Sequence, residues 1–124
     1  MTYELNLEQK PAYLHATVRG DNTRQNVERY LGEIRRECIV RNCRRVLVEE
    51  RLRGDRLATA DVFSIVMEES ARAAGLFDAI AYVDVHAGGD MMKFAEGLAM
   101  ERGIPVRLFA TVAEAEKWLT RVAR

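Results

Sequence analysis

The constraint that bears hardest on the fold is the punctuation of residues 102–119. Gly103 stands where a helix ends in the left-handed conformation, and Pro105 forbids that helix from continuing. Val106-Arg107-Leu108-Phe109 is then long enough for a short strand. Thr111 follows as an N-cap with Glu114 three residues on, the spacing at which cap and third-residue side chains satisfy backbone N–H groups. Val112, Ala115, Trp118, Leu119 and Val122 recur at helical spacing and give the closing helix one apolar face. A helix, a strand and a helix in such close succession demand an α/β architecture.

The preceding chain agrees. Residues 2–8 alternate, with Tyr3, Leu5 and Leu7 opposite Glu4, Asn6 and Glu8, and residues 13–19 alternate again through Leu14, Ala16 and Val18. Pro11 marks the turn between them, so the two strands read as an antiparallel hairpin. Asn22 with Gln25 reads as the start of an amphipathic helix over residues 23–41, which Asn42 ends. Residues 45–50 carry Val46-Leu47-Val48 on consecutive positions, the pattern of a strand covered on both faces. Residues 51–58 read as a charged loop, and Thr59 as the N-cap of a helix over 60–74. Residues 79–85 form the most apolar strand and so the expected centre of the sheet, and Asp90 reads as the cap of a helix carrying Met91, Phe94, Ala95 and Leu98. The predicted order is ββαβαβαβα. It implies a single α/β domain over residues 1–124, with a five-stranded, mostly parallel sheet and right-handed crossovers.

Composition excludes more than it identifies. Lys plus Arg and Asp plus Glu both number 19, so no global field draws the chain to nucleic acid or an anionic membrane. Arg35, Arg36, Arg41, Arg44 and Arg45 cluster at one end of the first helix, yet Glu33 and Glu37 interrupt them and no aromatic residues interleave. They read as a solvated helix end rather than a nucleic-acid surface. No apolar run reaches the ~20 residues needed to span a bilayer. The N-terminus lacks a basic leader, and Cys38 and Cys43 read as reduced thiols rather than a disulfide or zinc pair. Together these give the expectation of a cytoplasmic protein with no cofactor and no stable membrane insertion.

The Cys43-Arg44-Arg45-Val46-Leu47-Val48 strand entry and the closing Arg102-Gly103…Val106-Arg107-Leu108-Phe109…Glu114-Ala115…Trp118-Leu119 pattern resemble the STAS-like (SpoIIAA-like) domains. The resemblance implies a non-enzymatic regulatory or interaction module. It extends to anti-sigma-factor antagonists and the STAS domains of anion transporters, and the fold is shared with Sec14-type lipid binders. In the antagonists a phosphorylated serine within an Asp-Ser-Ser-Gly-type stretch follows the third strand. Here that place reads Glu49-Glu50-Arg51-Leu52-Arg53-Gly54-Asp55, and Thr59 is the one phosphorylatable side chain near it, with helix capping as its competing role.

Ligands of open α/β sheets bind beyond the carboxyl ends of parallel strands. That rim collects Gly20-Asp21, Glu49 to Asp55 with Glu49, Arg51, Arg53 and Asp55 as its candidates, Asp84 to Asp90 with Asp84, His86, Gly88, Gly89 and Asp90, and Ala110-Thr111. Gly88-Gly89 before a helix offers backbone N–H groups to an anion, although no phosphate-loop spacing is present. Asp84 and His86 share one side of an extended segment and could pair as base and orienter, but no nucleophile accompanies them. Phe63 and Met67 stand on the outer side of a helix that is apolar nearly all round, and mark the expected contact surface of a homodimer or of an unidentified protein partner. Met91, Met92 and Met100 join them as candidates for lining an adaptable apolar pocket. The alternative function is binding of a small apolar or anionic ligand, lipid-like, beneath helices 60–74 and 89–102. It requires a cavity of several hundred Å³.

Overall fold

The computed structural model describes residues 2–84 and 89–121. Its elements follow the predicted order: β1 (Tyr3–Gln9), β2 (Leu14–Asp21), α1 (Arg24–Val40), β3 (Arg45–Arg53), α2 (Thr59–Ala73), β4 (Ala79–Val83), α3 (Asp90–Glu101), β5 (Val106–Phe109) and α4 (Val112–Arg121). The sheet is five-stranded in the order β1-β2-β3-β4-β5; β1 pairs antiparallel with β2, and every later pairing is parallel.

Strand alternation sorts the side chains into two layers. Leu14, Ala16 and Val18 of β2, Val46 and Val48 of β3, Ile80 of β4 and Val106 of β5 pack with Val27, Tyr30, Ile34 and Cys38 of α1. On the other face Leu47, Ala79, Ala81 and Val83 pack with Ala115 and Leu119 of α4. The small residues Ala79 and Ala81, both fully buried, let α4 lie close on β4. Phe109 and Trp118 extend that contact with ring centroids 5.7 Å apart.

The helix ends show why the elements stop where they do. After α1 the chain makes a Schellman turn: Cys43 N–H donates to the Cys38 carbonyl at 2.8 Å and Asn42 N–H to the Ile39 carbonyl at 3.1 Å, with Asn42 at φ 53°. The same turn recurs after α3 through Gly103 at φ 82°, where Ile104 N–H donates to the Ala99 carbonyl at 3.1 Å and the Ile104 side chain is buried. At the start of α4, Thr111 Oγ1 accepts from Glu114 N–H at 3.3 Å and donates to the Glu114 carboxylate at 3.0 Å.

Four expectations are corrected. Thr23, not Asn22, caps α1, accepting from Asn26 N–H at 3.1 Å. Asn22 is engaged elsewhere: its backbone N–H donates to the Arg53 carbonyl at 2.8 Å and its side chain to the Asp55 carbonyl at 3.2 Å. The expected loop at 51–58 begins as strand, because β3 stays paired with β2 as far as Asp21 opposite Arg53. Thr59 and Asp90 are first helical residues rather than caps; Ala58 and Gly89 hold the cap positions without side-chain hydrogen bonds. The middle strand is β3, not β4. The apolar character of β4 reports coverage on both faces, which an inner strand next to the edge also has.

Candidate functional site

Helices α2 and α3 pack against each other over the carboxyl half of the sheet, but neither seals onto it. Only Ile65 and Ser70 of α2 are fully buried, and no residue of α3 is. The reason is a cavity of about 830 Å³ between the two helices, α1 and the sheet. Its floor is Val46, Val48, Ile80 and Val106, and its roof Val62, Ile65, Val66, Met91, Met92, Ala95 and Ala99. Helix 60–74 therefore turns its apolar side into a cavity rather than into packed core.

Glu50, Tyr30, Tyr82 and Asp84 make the cavity polar at one end. Alternation through Val46, Val48 and Glu50 carries a carboxyl group onto the core-facing side of β3, and alternation through Ile80 and Tyr82 does the same for Asp84 beyond β4. The two strands are parallel neighbours, with Glu49 opposite Val83, so the next step along each brings Glu50 beside Asp84. The Tyr30 hydroxyl donates to the Glu50 carboxyl. Burial pushes the Glu50 carboxyl up to about 7; the Tyr30 hydrogen bond opposes this, and the charge of Asp84 with a hydrogen bond from Glu50 to it adds to it. Near neutral pH the Glu50 carboxyl is therefore divided between its protonated and ionised forms. Burial also raises the phenols of Tyr30 and Tyr82, with the charge of Glu50 adding to it, so both remain hydroxyl donors.

The residues expected at the rim are divided by the sheet. Glu49 and Arg51 point to the opposite face from Glu50. Arg51 binds the Glu49 carboxylate at 2.6 Å, and His15 Nε2 lies 3.0 Å from its other oxygen. Burial would raise Glu49, but the hydrogen bonds from Arg51 and His15 outweigh it and hold the carboxyl below its ordinary value. Arg53 pairs with Asp21 at 3.0 Å. Asp55 is exposed and supplies a backbone acceptor to Asn22. Of the rim residues named from the sequence, Asp84 stands in the polar cluster with Glu50, while Glu49 and Arg51 also contribute to the lining of the cavity. His86 and Gly88 lie outside the described residues, so the proposed Asp84–His86 pair and Gly88-Gly89 anion site do too. Gly89 and Asp90 open α3, with Asp90 exposed.

Among the methionines, Met91 and Met92 line the cavity, while Met100 is exposed. Phe63 is 45% exposed and Met67 half-buried on the flank of α2, away from the cavity. Thr59 is exposed at the first turn of α2 and does not line the cavity. The basic cluster is largely neutralised: Arg35 pairs with Glu69 at 2.6 Å, Arg41 with Glu37 at 3.1 Å and Arg44 with Asp78 at 3.0 Å.

Sequence reasoning missed Tyr30 and Tyr82, and placed Glu50 within the rim stretch without singling it out. The signal for Glu50 was present in the alternation itself, since a carboxylate two residues beyond Val48 occupies an inward position. Among the described residues no three His, Cys, Asp or Glu side chains are grouped to hold a metal, and no helix is long and apolar enough to cross a membrane. Neither a protein-family model nor a curated protein matches the chain.

Proposed function

We propose that this chain is a non-catalytic module that binds a small, mostly apolar ligand between its sheet and helices α2 and α3. The observation that carries the reading is the cavity of about 830 Å³, apolar along its floor and roof, with hydrogen-bonding groups gathered at one end. Small-molecule sites have this composition, with a few convergent polar groups that fix orientation. The carboxyl group of Glu50 at that end supports it as well, because an ionisable side chain whose charge is disfavoured by desolvation inside a cleft marks a candidate binding site. The STAS-like resemblance supports a binding rather than a catalytic role and shares its architecture with lipid-binding proteins.

The test is titration with N-phenyl-1-naphthylamine, an uncharged probe that fluoresces in apolar surroundings. Saturable enhancement is expected in the intact protein, weakened about tenfold or more by Ala95→Trp, which places an indole in the cavity. Absence of saturable binding, or binding indifferent to Ala95→Trp, refutes the proposal. Native mass spectrometry of freshly purified protein adds a direct readout, since a retained ligand leaves on denaturation.

Exposed Phe63, with Met67 one turn further along α2, favours a second reading in which this flank is the contact surface of a homodimer or of a regulatory partner. Sedimentation equilibrium tests the homodimer directly. A dimer that Phe63→Ser dissociates supports it, and a monomer at every concentration eliminates it.

A further inference from the structure

Two hydroxyl groups on the wall of the cavity have no hydrogen-bond partner among the described residues, those of Ser70 on α2 and Tyr82 on β4. Ser70 is only 7% exposed and Tyr82 is partly buried. The polar groups around them are taken. The Tyr30 hydroxyl donates to Glu50, Arg35 is held by Glu69 at 2.6 Å, and Arg51 by Glu49 at 2.6 Å. Glu96 accepts from the Leu108 amide at 2.8 Å, and Asp84 is engaged as well. Enclosed polar groups are nearly always paired, so an unpaired one calls for an explanation. A helical hydroxyl can turn back to the carbonyl four residues before it. Thr120 of α4 does so, donating to the Glu116 carbonyl at 2.9 Å. Ser70 does not, and opens onto the cavity instead. Burial raises the Tyr82 phenol, and the charges of Glu50 and then of Glu69, the neighbour of Ser70, add to it, which sets Tyr82 close to this part of α2.

We infer that the cavity selects an uncharged, mostly apolar molecule carrying a carbonyl oxygen, to which Tyr82 and Ser70 donate hydrogen bonds. This rests on the cavity being a ligand site and names the chemistry of its occupant. A carbonyl oxygen has two lone pairs and no proton, so it takes one bond from each hydroxyl. A phenol oxygen shares its electrons with the ring and donates better than it accepts, which suits Tyr82 to such a ligand. Ions fit less well. Arg56, the remaining cation of the lining, is exposed in the connection after β3, so an anion finds no enclosed cation without a partner. A cation would lean on the Glu50 carboxylate, the form that burial disfavours. A carbonyl ligand asks for no change in the protonation of Glu50.

The experiment displaces bound N-phenyl-1-naphthylamine at pH 7.5 with four competitors of similar size, each below its solubility limit. They are butylbenzene, its ketone butyrophenone, 4-phenylbutanoate and 4-phenylbutylamine. The proteins are the full chain, Tyr82→Phe, Ser70→Ala and the double variant, substitutions that remove one hydroxyl each and keep the packing. Butyrophenone is expected to displace at a concentration about fivefold lower than butylbenzene, with both ions weaker than the ketone. The ketone-to-hydrocarbon preference, which does not depend on the affinity of the probe, is expected to shrink in each single variant and to vanish in the double variant. A ketone no stronger than the hydrocarbon, or either ion equal to the ketone, overturns the carbonyl assignment while leaving the site. A ketone preference that survives in the double variant overturns the roles of Tyr82 and Ser70. Absence of probe binding in the intact chain removes the site and the assignment together.

Discussion

Replacing Glu50 by glutamine tests the buried carboxyl group without any ligand. An unfolded glutamate titrates near 4.5, and in the fold Glu50 is pushed up to about 7. Between those values the folded chain keeps a proton that the unfolded chain gives up, so this group makes the protein most stable below the unfolded value. Its contribution declines as pH rises toward 7 and is flat above. At about 1.4 kcal/mol for each pH unit the decline amounts to about 3 kcal/mol. Glutamine reproduces the protonated carboxyl, with an acceptor for Tyr30 and an N–H for Asp84, but has nothing to ionise. Glu50→Gln is therefore expected to match the parent near pH 4 and to exceed it by about 3 kcal/mol at pH 8, roughly 10 °C in Tm for a domain of this size. Differential scanning calorimetry of both proteins from pH 4 to pH 8.5 measures this, and the difference between the two curves cancels the carboxylates they share, Glu49 included. A difference that does not vary with pH, or a variant less stable at pH 8, refutes the account of Glu50.

Four further outcomes follow from the packing. Thr111→Ala is expected to cost about 1 kcal/mol in urea denaturation, because it removes the side-chain cap of α4. Thr59→Ala, at a first helical position with no capping bond in the structure, is expected to stay within about 0.5 kcal/mol of the parent. Gly20→Ala is expected to cost about 2 kcal/mol or more, since a Cβ there would stand 2.7 Å from the Thr2 carbonyl oxygen and Tyr3 Cα on a backbone at φ 142°; far-UV circular dichroism during urea titration reads it. Leu119→Ala, fully buried between α4 and the sheet, is expected to lower stability by about 3 kcal/mol in the same assay.

The architecture was legible because its determinants are local. Alternation at Tyr3, Leu5 and Leu7, the apolar spacing of α1, and the Gly103, Pro105 and Thr111 sequence each dictate one element, and their order admits one simple topology. Boundaries moved where a distant residue intervened. Asn22 is as good a cap as Thr23 in isolation, but Arg53 and Asp55 claim it only once β3 lies beside β2. The cavity was inferable only as a requirement. The excess of apolar residues on α2 shows that this helix needs two apolar surroundings, but not that one of them is open space. The carboxyl pair was harder still, because it arises from the alignment of β3 with β4, and a register between strands separated by a helix is written in no single stretch of sequence.

The strands lie across the sheet in the order in which they occur along the chain, and each crossover lands beside the strand just left. Each parallel pairing then has only the single crossover between successive strands to close, which keeps the closure entropy low for a parallel sheet. It also sets an order of events as the chain is synthesised. The hairpin, α1 and β3 can assemble before β4 exists, so Glu50 meets the Tyr30 hydroxyl early, while still open to water. Asp84 and the roof formed by α2 and α3 arrive afterwards. The dehydration of the carboxyl group, and the proton uptake it favours below about pH 7, therefore belong to the closing step of folding.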